Sequence, residues 1–292
     1  SSIIADRLAL GAADIVVTEA GFGSDMGAEK FMHIKAANSG KAPDCVVMNV
    51  TIRSMKLHGG AFGSRGGYRP TKEELEKEDI EAVLRGAQGN LDRHIKNMAG
   101  FGMPVIVSIN RFYSDTDAEL DALKMAAQKS GASHVALTEV HAHGGKGGEE
   151  LAKAVVAAVH DHVAKGRPFT PLFTAETPIL DKMNAIATRI YKAEGVEIST
   201  SAMKQLTKLQ AWGYDHLPVC MAKTQYSFSH DPGKLGAPVG FTIPVSEFRL
   251  NAGAGFIVAI LGNMMTMPGL PKRPAALDMD MDEEGRLTGV FG

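Results

Sequence analysis

At 292 residues with 45% hydrophobic content, the chain holds enough apolar material for one large core or two smaller ones. Its 31 basic and 33 acidic residues nearly balance, which argues against a nucleic-acid backbone or an anionic membrane surface as the main partner. Two distant cysteines, Cys45 and Cys220, rule against a disulfide framework or zinc cluster and make a reducing cytoplasm the simplest compartment, and no run approaches the ~18 apolar residues of a membrane span.

In chain order, Ser1 to Leu10 reads as a helix already under way without an initiating methionine, as the later part of something longer would. The stretch Val16-Val17-Thr18-Glu19-Ala20-Gly21-Phe22-Gly23-Ser24-Asp25-Met26-Gly27-Ala28-Glu29-Lys30-Phe31 follows. Its β-branched start predicts a buried strand over 15–17, and its glycines then set carboxylates where an α/β sheet places ligands, past a strand's carboxyl end. Gly21, Gly23 and Gly27 miss the dinucleotide spacing by one residue, and no G-K-[ST] follows, so neither a Rossmann fingerprint nor a phosphate loop is present. An ordinary strand-to-helix turn explains the glycines equally well. Glu19 and Asp25 are hard oxygen donors suited to Mg²⁺ or to a proton-handling role, catalytic in the case of Glu19, and Phe22 and Phe31 offer flat apolar surface.

Further strands are expected at 45–50, 105–109 and 134–137, with helices at 72–84, 90–98, 117–129 and 149–163 between and after them. This alternation predicts an α/β domain over 1–165, with a largely parallel sheet covered by helices on both faces. The glycine-rich loop at 58–70 carries Arg65 and Arg69, which suit an anion, although plain flexibility accounts for it too. After the strands at 105–109 and 134–137 come Asn110-Arg111-Phe112-Tyr113-Ser114-Asp115-Thr116-Asp117 and Thr138-Glu139-Val140-His141-Ala142-His143, whose rings suit a flat heterocycle. Asp115 or Asp117 also reads as the cap of the next helix, and Gly144 to Gly148 as a tight turn. His141, His143, His160 and His162 lack the spacing and co-ligands of a metal site and read as solvent-exposed.

From Gly166 the pattern changes to helices at 179–193 and 199–212, then strands at 219–223, 241–245, 248–250 and 256–260. Helices followed by strands predict a smaller α+β domain over 166–292 with an antiparallel or mixed sheet. Trp212 reads as core or interface. The loops at 220–232 and 266–274, one dense in hydrogen-bonding groups and the other stiffened by prolines, read as ligand-facing walls or as plain surface connectors.

Taken together, Val17-Thr18-Glu19-Ala20-Gly21-Phe22-Gly23, Gly27-Ala28-Glu29-Lys30-Phe31, Lys56-Leu57-His58-Gly59-Gly60, Asn110-Arg111-Phe112, Cys220-Met221-Ala222-Lys223-Thr224, Gly253-Ala254-Gly255-Phe256 and Met265-Thr266-Met267-Pro268-Gly269-Leu270-Pro271 resemble the formate–tetrahydrofolate ligase family from end to end. The resemblance implies a P-loop NTPase-like large domain, further domains walling a folate cavity, and a homo-oligomer, usually a tetramer, in the cytoplasm. It implies ATP, Mg²⁺ and a monovalent cation (K⁺ or NH₄⁺) as cofactors. Formate attacks the γ-phosphoryl group of ATP to give formyl phosphate, and N10 of tetrahydrofolate then takes the formyl group. The family's G-x-G-K-[ST] loop and formyl-phosphate arginine lie in an N-terminal half that this sequence does not contain, so the isolated chain is expected to be inactive. What remains, by resemblance, is the folate and adenine side: Phe112 and His141 against the pterin, the latter where relatives carry Trp, and Phe31, Leu137, Gly21 and Gly23 toward the nucleotide. A non-catalytic folate- or nucleotide-binding module, or half of a split enzyme, is the alternative.

Overall fold

A computed structural model describes residues 2–63, 70–262, 264, 272–283 and 287–288. Arg65, Arg69 and residues 266–271 of the proline-stiffened segment lie outside the described residues. The described part divides into two compact units, Ser1–Gly262 and Asn263–Gly292.

The first unit opens with helix α1 (Ser2–Ala12), which buries none of its residues. A helical run over 23–39 contains α2 (Ala28–Lys30) and α3 (Ala37–Ser39) joined through wide π turns at Gly23–Gly27 and Phe31–Ala36. Then come β1 (Val46–Val50), α4 (Ile52–His58), α5 (Lys72–Glu76), α6 (Ile80–Gly86), α7 (Asp92–Ala99), β2 (Val105–Asn110), α8 (Asp117–Lys129), β3 (His134–Thr138), α9 (Val140–His143) and α10 (Glu149–Ala164). The three strands form a parallel sheet in the order β1-β2-β3, as the alternation of strands and helices requires. β2 is buried on both faces from Val105 to Ile109, the environment that a continuous β-branched run favours. Helix starts follow local capping chemistry. Thr51, Thr71 and Thr116 each accept from the backbone N–H three residues on, and Ser54, Glu74 and Glu119 return the bond. Helix 117–129 is therefore capped by Thr116, not by Asp115 or Asp117.

The chain continues with α11 (Ile179–Ile186), β4 (Gly195–Ile198), α12 (Thr200–Ala211), β5 (Val219–Ala222), β6 (Thr242–Asn251) and β7 (Phe256–Leu261). The second sheet runs β4-β6-β7-β5 and is mixed: β6 and β7 are antiparallel, while β4 with β6 and β5 with β7 are parallel. The residue pair 165/166 falls between the two sheets, inside the first compact unit. One hydrophobic cluster nevertheless extends through both, from Met32, Ile52 and Leu91 to Met183, Met221 and Leu261. Polar ties cross the same seam, with Arg93 donating to Pro238 O at 2.7 Å and to Ala237 O at 3.2 Å. In the second unit β8 (Asp280–Met281) pairs antiparallel with β9 (Leu287–Thr288). Among the described residues no helix is long and apolar enough to cross a membrane.

Three sequence expectations are corrected. Residues 15–17 form no strand: Val17 is 88% exposed, and a β-branched run stays extended only where partner strands take its backbone groups and cover its faces. The helix expected at 72–84 breaks at Lys77, because Asp79 caps a new helix by accepting from Ala82 N–H. The buried Lys56 ammonium occupies the break, donating to Leu75 O and Lys77 O while pairing with Glu119 at 2.8 Å. Finally, 241–245 and 248–250 belong to one ten-residue strand, kinked by a register shift between Val245 and Glu247.

Lys182 plays a part like that of Lys56, donating to Ala175 O, His216 O and Leu217 O at 2.6–3.2 Å. Helices α4 and α6 meet backbone to backbone: a Cβ on Gly86 would stand 2.1 Å from Met55 O, and one on Gly59 1.8 Å from Ala82 O. Gly86 has ordinary helical dihedrals, so Gly86→Ala would gain about 0.5–1 kcal/mol of helix propensity. Overpacking at the contact costs about 1–3 kcal/mol and outweighs that gain. The variant is expected to lower the urea midpoint, and a midpoint at or above that of the parent would refute this account of the α4–α6 contact.

Candidate functional site

The loop from Thr18 to Gly27 turns inward at its far end. Gly27 N–H donates to Phe22 O at 3.0 Å, and a Cβ at Gly27 would lie 2.1 Å from Gly21 O, so this turn admits only glycine. Ser24 and Asp25 are thereby buried at the start of the wide turn Gly23–Gly27, which packs on α7 and on a second wide turn at Ala187–Tyr191. Single π turns recur at functional sites because they re-aim side chains within a helix.

Asp25 meets Lys223, the residue directly after β5, with Nζ 2.5 Å from Oδ2. Lys223 is fully buried and also donates to Thr224 O at 3.1 Å and to Ser227 O. Burial lowers its pKa, and the Asp25 carboxylate opposes that shift. Ser227 continues the network, its hydroxyl at 2.9 Å from Ser229 Oγ and donating to Lys234 O.

On the other side of the turn, His94 Nδ1 accepts from Ser24 N–H at 3.2 Å and from Ser24 Oγ at 2.7 Å. Asn97 in turn donates to Ser24 Oγ and Ile190 O. Desolvation holds His94 down at about 4 against the pull of Asp25, so the ring is neutral near pH 7. His58, accepting from Gly236 N–H, is likewise lowered by burial. One helical turn beyond Asp25, Glu29 pairs with His33 Nδ1 at 2.7 Å. Tyr191 is fully buried, and burial, then Glu29 and Asp25, push its pKa well above the ordinary value. The Asp25–Lys223 and Glu29–His33 pairs are compensated, while Glu29 Oε2, His33 Nε2 and Tyr191 OH are buried without a hydrogen-bond partner.

The network leaves the outer part of the loop exposed. Glu19, Gly21, Phe22 and Gly23 stand on the wall of an open groove of about 2080 Å³, together with the half-buried Phe31. Lys35 lies 4.7 Å over the Phe31 ring and is held by Asp6 at 2.7 Å. The lysine partner of Asp25 takes the place a divalent cation would need, so Asp25 does not fit a Mg²⁺ ligand in this arrangement. Among the described residues, no three His, Cys, Asp or Glu side chains gather as a metal centre requires.

The other expected site residues lie at the carboxyl edge of the three-stranded sheet and not on this groove. Phe112, two residues past β2, is half-buried with the Arg53 guanidinium 4.1 Å over its ring. Its N–H donates to Asp115 Oδ2 at 2.8 Å, and burial raises the pKa of Asp115. Leu137 is the fourth residue of β3, paired with Ile109 and partly buried. His141 is exposed on α9, next to Glu139, which approaches Arg111 at 3.8 Å. Of the four histidines read as exposed, His162 is instead 4% exposed, and Trp212 is 64% exposed, so it is not core.

Sequence reading missed Lys223, His94, Tyr191 and the Glu29–His33 pair. The available signal was a lysine closing the apolar strand Val219-Cys220-Met221-Ala222 and a carboxylate among glycines, 198 residues apart with nothing in the sequence to join them. Removing one member of a buried pair costs about 3–5 kcal/mol, because the other charge is left uncompensated. Lys223→Met is expected to lose that much in urea unfolding, and Asp25→Leu with Lys223→Met to recover a large part. A double variant as unstable as the sum of its singles would deny the coupling.

His94 gives a pH dependence. Its folded pKa is depressed, so its stability contribution is complete above the unfolded value near 6.5 and is lost as pH falls from there toward 4. About 2 kcal/mol should disappear between pH 7 and 5, and His94→Gln should remove that part of the slope. An unchanged slope in the variant would contradict a buried neutral His94.

A family model described as formate–tetrahydrofolate ligase matches residues 1–291. The chain is 47% identical over 291 residues to the formate–tetrahydrofolate ligase of Acidiphilium cryptum, and 48% identical to those of Leuconostoc citreum and Symbiobacterium thermophilum. In each case the whole of this chain is covered and 50% of the relative, so the chain spans about half the length of the curated relatives it matches. With the match running through the Asp25 loop, the Phe112 turn and the Lys223 strand end alike, the chain belongs to the formate–tetrahydrofolate ligase family.

Proposed function

We propose that this chain supplies the folate- and adenine-facing side of an ATP-dependent ligase that joins formate to tetrahydrofolate, giving 10-formyltetrahydrofolate through formyl phosphate. The observation that carries this reading is Phe112, an aromatic ring half-exposed at the carboxyl edge of a parallel sheet, within a chain that belongs to the family throughout. Open α/β sheets bind ligands at that edge.

In this reading the pterin stacks on Phe112, with His141 as the second wall and Leu137 and Phe31 toward the adenine. Gly21 and Gly23 let the loop backbone approach the nucleotide, and Glu19 faces the phosphates. ATP, Mg²⁺ and a monovalent cation enter as the ligase's cofactors, and phosphoryl transfer needs fixed positive charge from the half not represented in this sequence. The large P-loop-like domain, the folate-walling domain after residue 165, a homotetramer and a cytoplasmic setting are parts of the same proposal.

The test is calorimetric titration with tetrahydrofolate. Stacking adds about 0.5–1.5 kcal/mol beyond burial, so Phe112→Ala should weaken binding by at least about 2- to 12-fold. Absence of heat and of thermal stabilisation in the parent, or equal affinity in the variant, would sink the folate assignment. Formation of 10-formyltetrahydrofolate from ATP, formate and tetrahydrofolate, when the chain is co-expressed with the other half of a relative, would support the ligase role.

A further inference from the structure

Arg53 stands where local chemistry disfavours it. It is the second residue of α4, and a cation in the first turn of a helix meets the positive end of the helix dipole. Its Nε is buried without a hydrogen-bond partner, although buried polar groups are ordinarily satisfied. The guanidinium lies instead over the face of Phe112, 4.1 Å from the ring centre. A ring face attracts a cation and accepts weakly from an N–H, so Phe112 is the partner that this side chain has.

The sheet brings the two residues together. Val50, the last residue of β1, pairs with Ile109 of β2, and Arg53 and Phe112 each stand three positions beyond that pair. The capping box of Thr51 fixes the first turn of α4, and the buried Ile52 and Met55 anchor it to the core. The backbone of Phe112 is pinned as well. Its N–H donates to Asp115 Oδ2 at 2.8 Å, and its carbonyl accepts from Asp115 N–H at 3.0 Å. Burial raises the pKa of Asp115, and the Phe112 N–H and the Arg53 charge oppose that rise. The guanidinium therefore also steadies the carboxylate that closes this turn.

A surface ring gives up rotamer freedom when a ligand stacks on it, which weakens binding. Here one face is held in advance, so that loss is met in folding and the opposite face is offered in a set orientation. We propose that Arg53 is the positioning residue of the Phe112 platform, holding the ring from one face so that the pterin of tetrahydrofolate stacks on the other. The inference rests on the proposed function in taking tetrahydrofolate as the ligand at Phe112.

The experiment compares tetrahydrofolate affinities, by calorimetry below the onset of unfolding, for the parent, Arg53→Met, Phe112→Ala and the double variant. Arg53→Met keeps an unbranched chain and removes the guanidinium; Arg53→Gln takes its place if that variant does not fold. Loss of the guanidinium should weaken binding at least about threefold, and Arg53→Lys, which keeps a cation for the ring face, should recover part of the loss. With Phe112→Ala already present, Arg53→Met should weaken binding by less than about 1.5-fold more, because no ring is left to position. Equal affinity of the parent and Arg53→Met, as a role in stability alone would give, would overturn the inference and leave the folate assignment standing. So would an equal loss with and without the Phe112 ring. No binding by the parent, or undiminished binding by Phe112→Ala, would sink the folate assignment and this inference with it.

Discussion

The buried pairing of Asp25 with Lys223 is the contact on which the arrangement of the first unit turns. Two charges removed from water gain little net energy from each other, because desolvation offsets most of their attraction. Their value lies in placement: an arrangement that separates the glycine loop from the end of β5 leaves a buried charge uncompensated. His94, Ser24 and Asn97 secure the same turn from α7, and Asn97 reaches Ile190 O across the seam between the sheets. Loop, helix and strand end are therefore held by one network, and the exposed residues before it, from Glu19 to Gly23, take their position from it.

The groove beside β1 and the carboxyl edge at Phe112 are separate features. Phe31, Gly21 and Gly23 belong to the first, and Phe112, Leu137 and His141 to the second. The groove is broad, and Val46, Val47, Val155 and Val159 make it apolar along β1 and α10. The edge at Phe112 is polar, with Arg53 over the ring, Asp115 accepting from the Phe112 N–H and Arg111 paired with Asp117, which suits a flat, hydrogen-bonding ligand.

Much of the architecture was legible in the sequence. The periodicities at 45–50, 105–109, 117–129 and 149–163 correspond to β1, β2, α8 and α10 within a residue or two, and the change to a mixed sheet after Gly166 was visible as a loss of alternation. Local rules failed where a distant group decided the outcome. Residues 15–17 have the composition of a strand but lack cover, and Lys56, contributed by α4, stabilises the break between α5 and α6. The wide turns at 31–36 and 187–191 shift the helical phase, so that a 3.6-residue pattern does not reveal which side chains turn inward there. Phe112 could be singled out from the sequence, but its partner Arg53, 59 positions earlier, could not.

Three lysines in this unit, Lys56, Lys182 and Lys223, are buried, and each gathers two or three backbone carbonyls that no helix or strand satisfies. An ammonium group directs its three protons to separate corners, whereas a guanidinium presents a flat fork suited to paired oxygens in one plane. Arginine would keep the charge at these positions and lose the fit. The shape of the donor, more than its sign, dictates the residue here, and each of the three sites acts as a mould for the loop it closes.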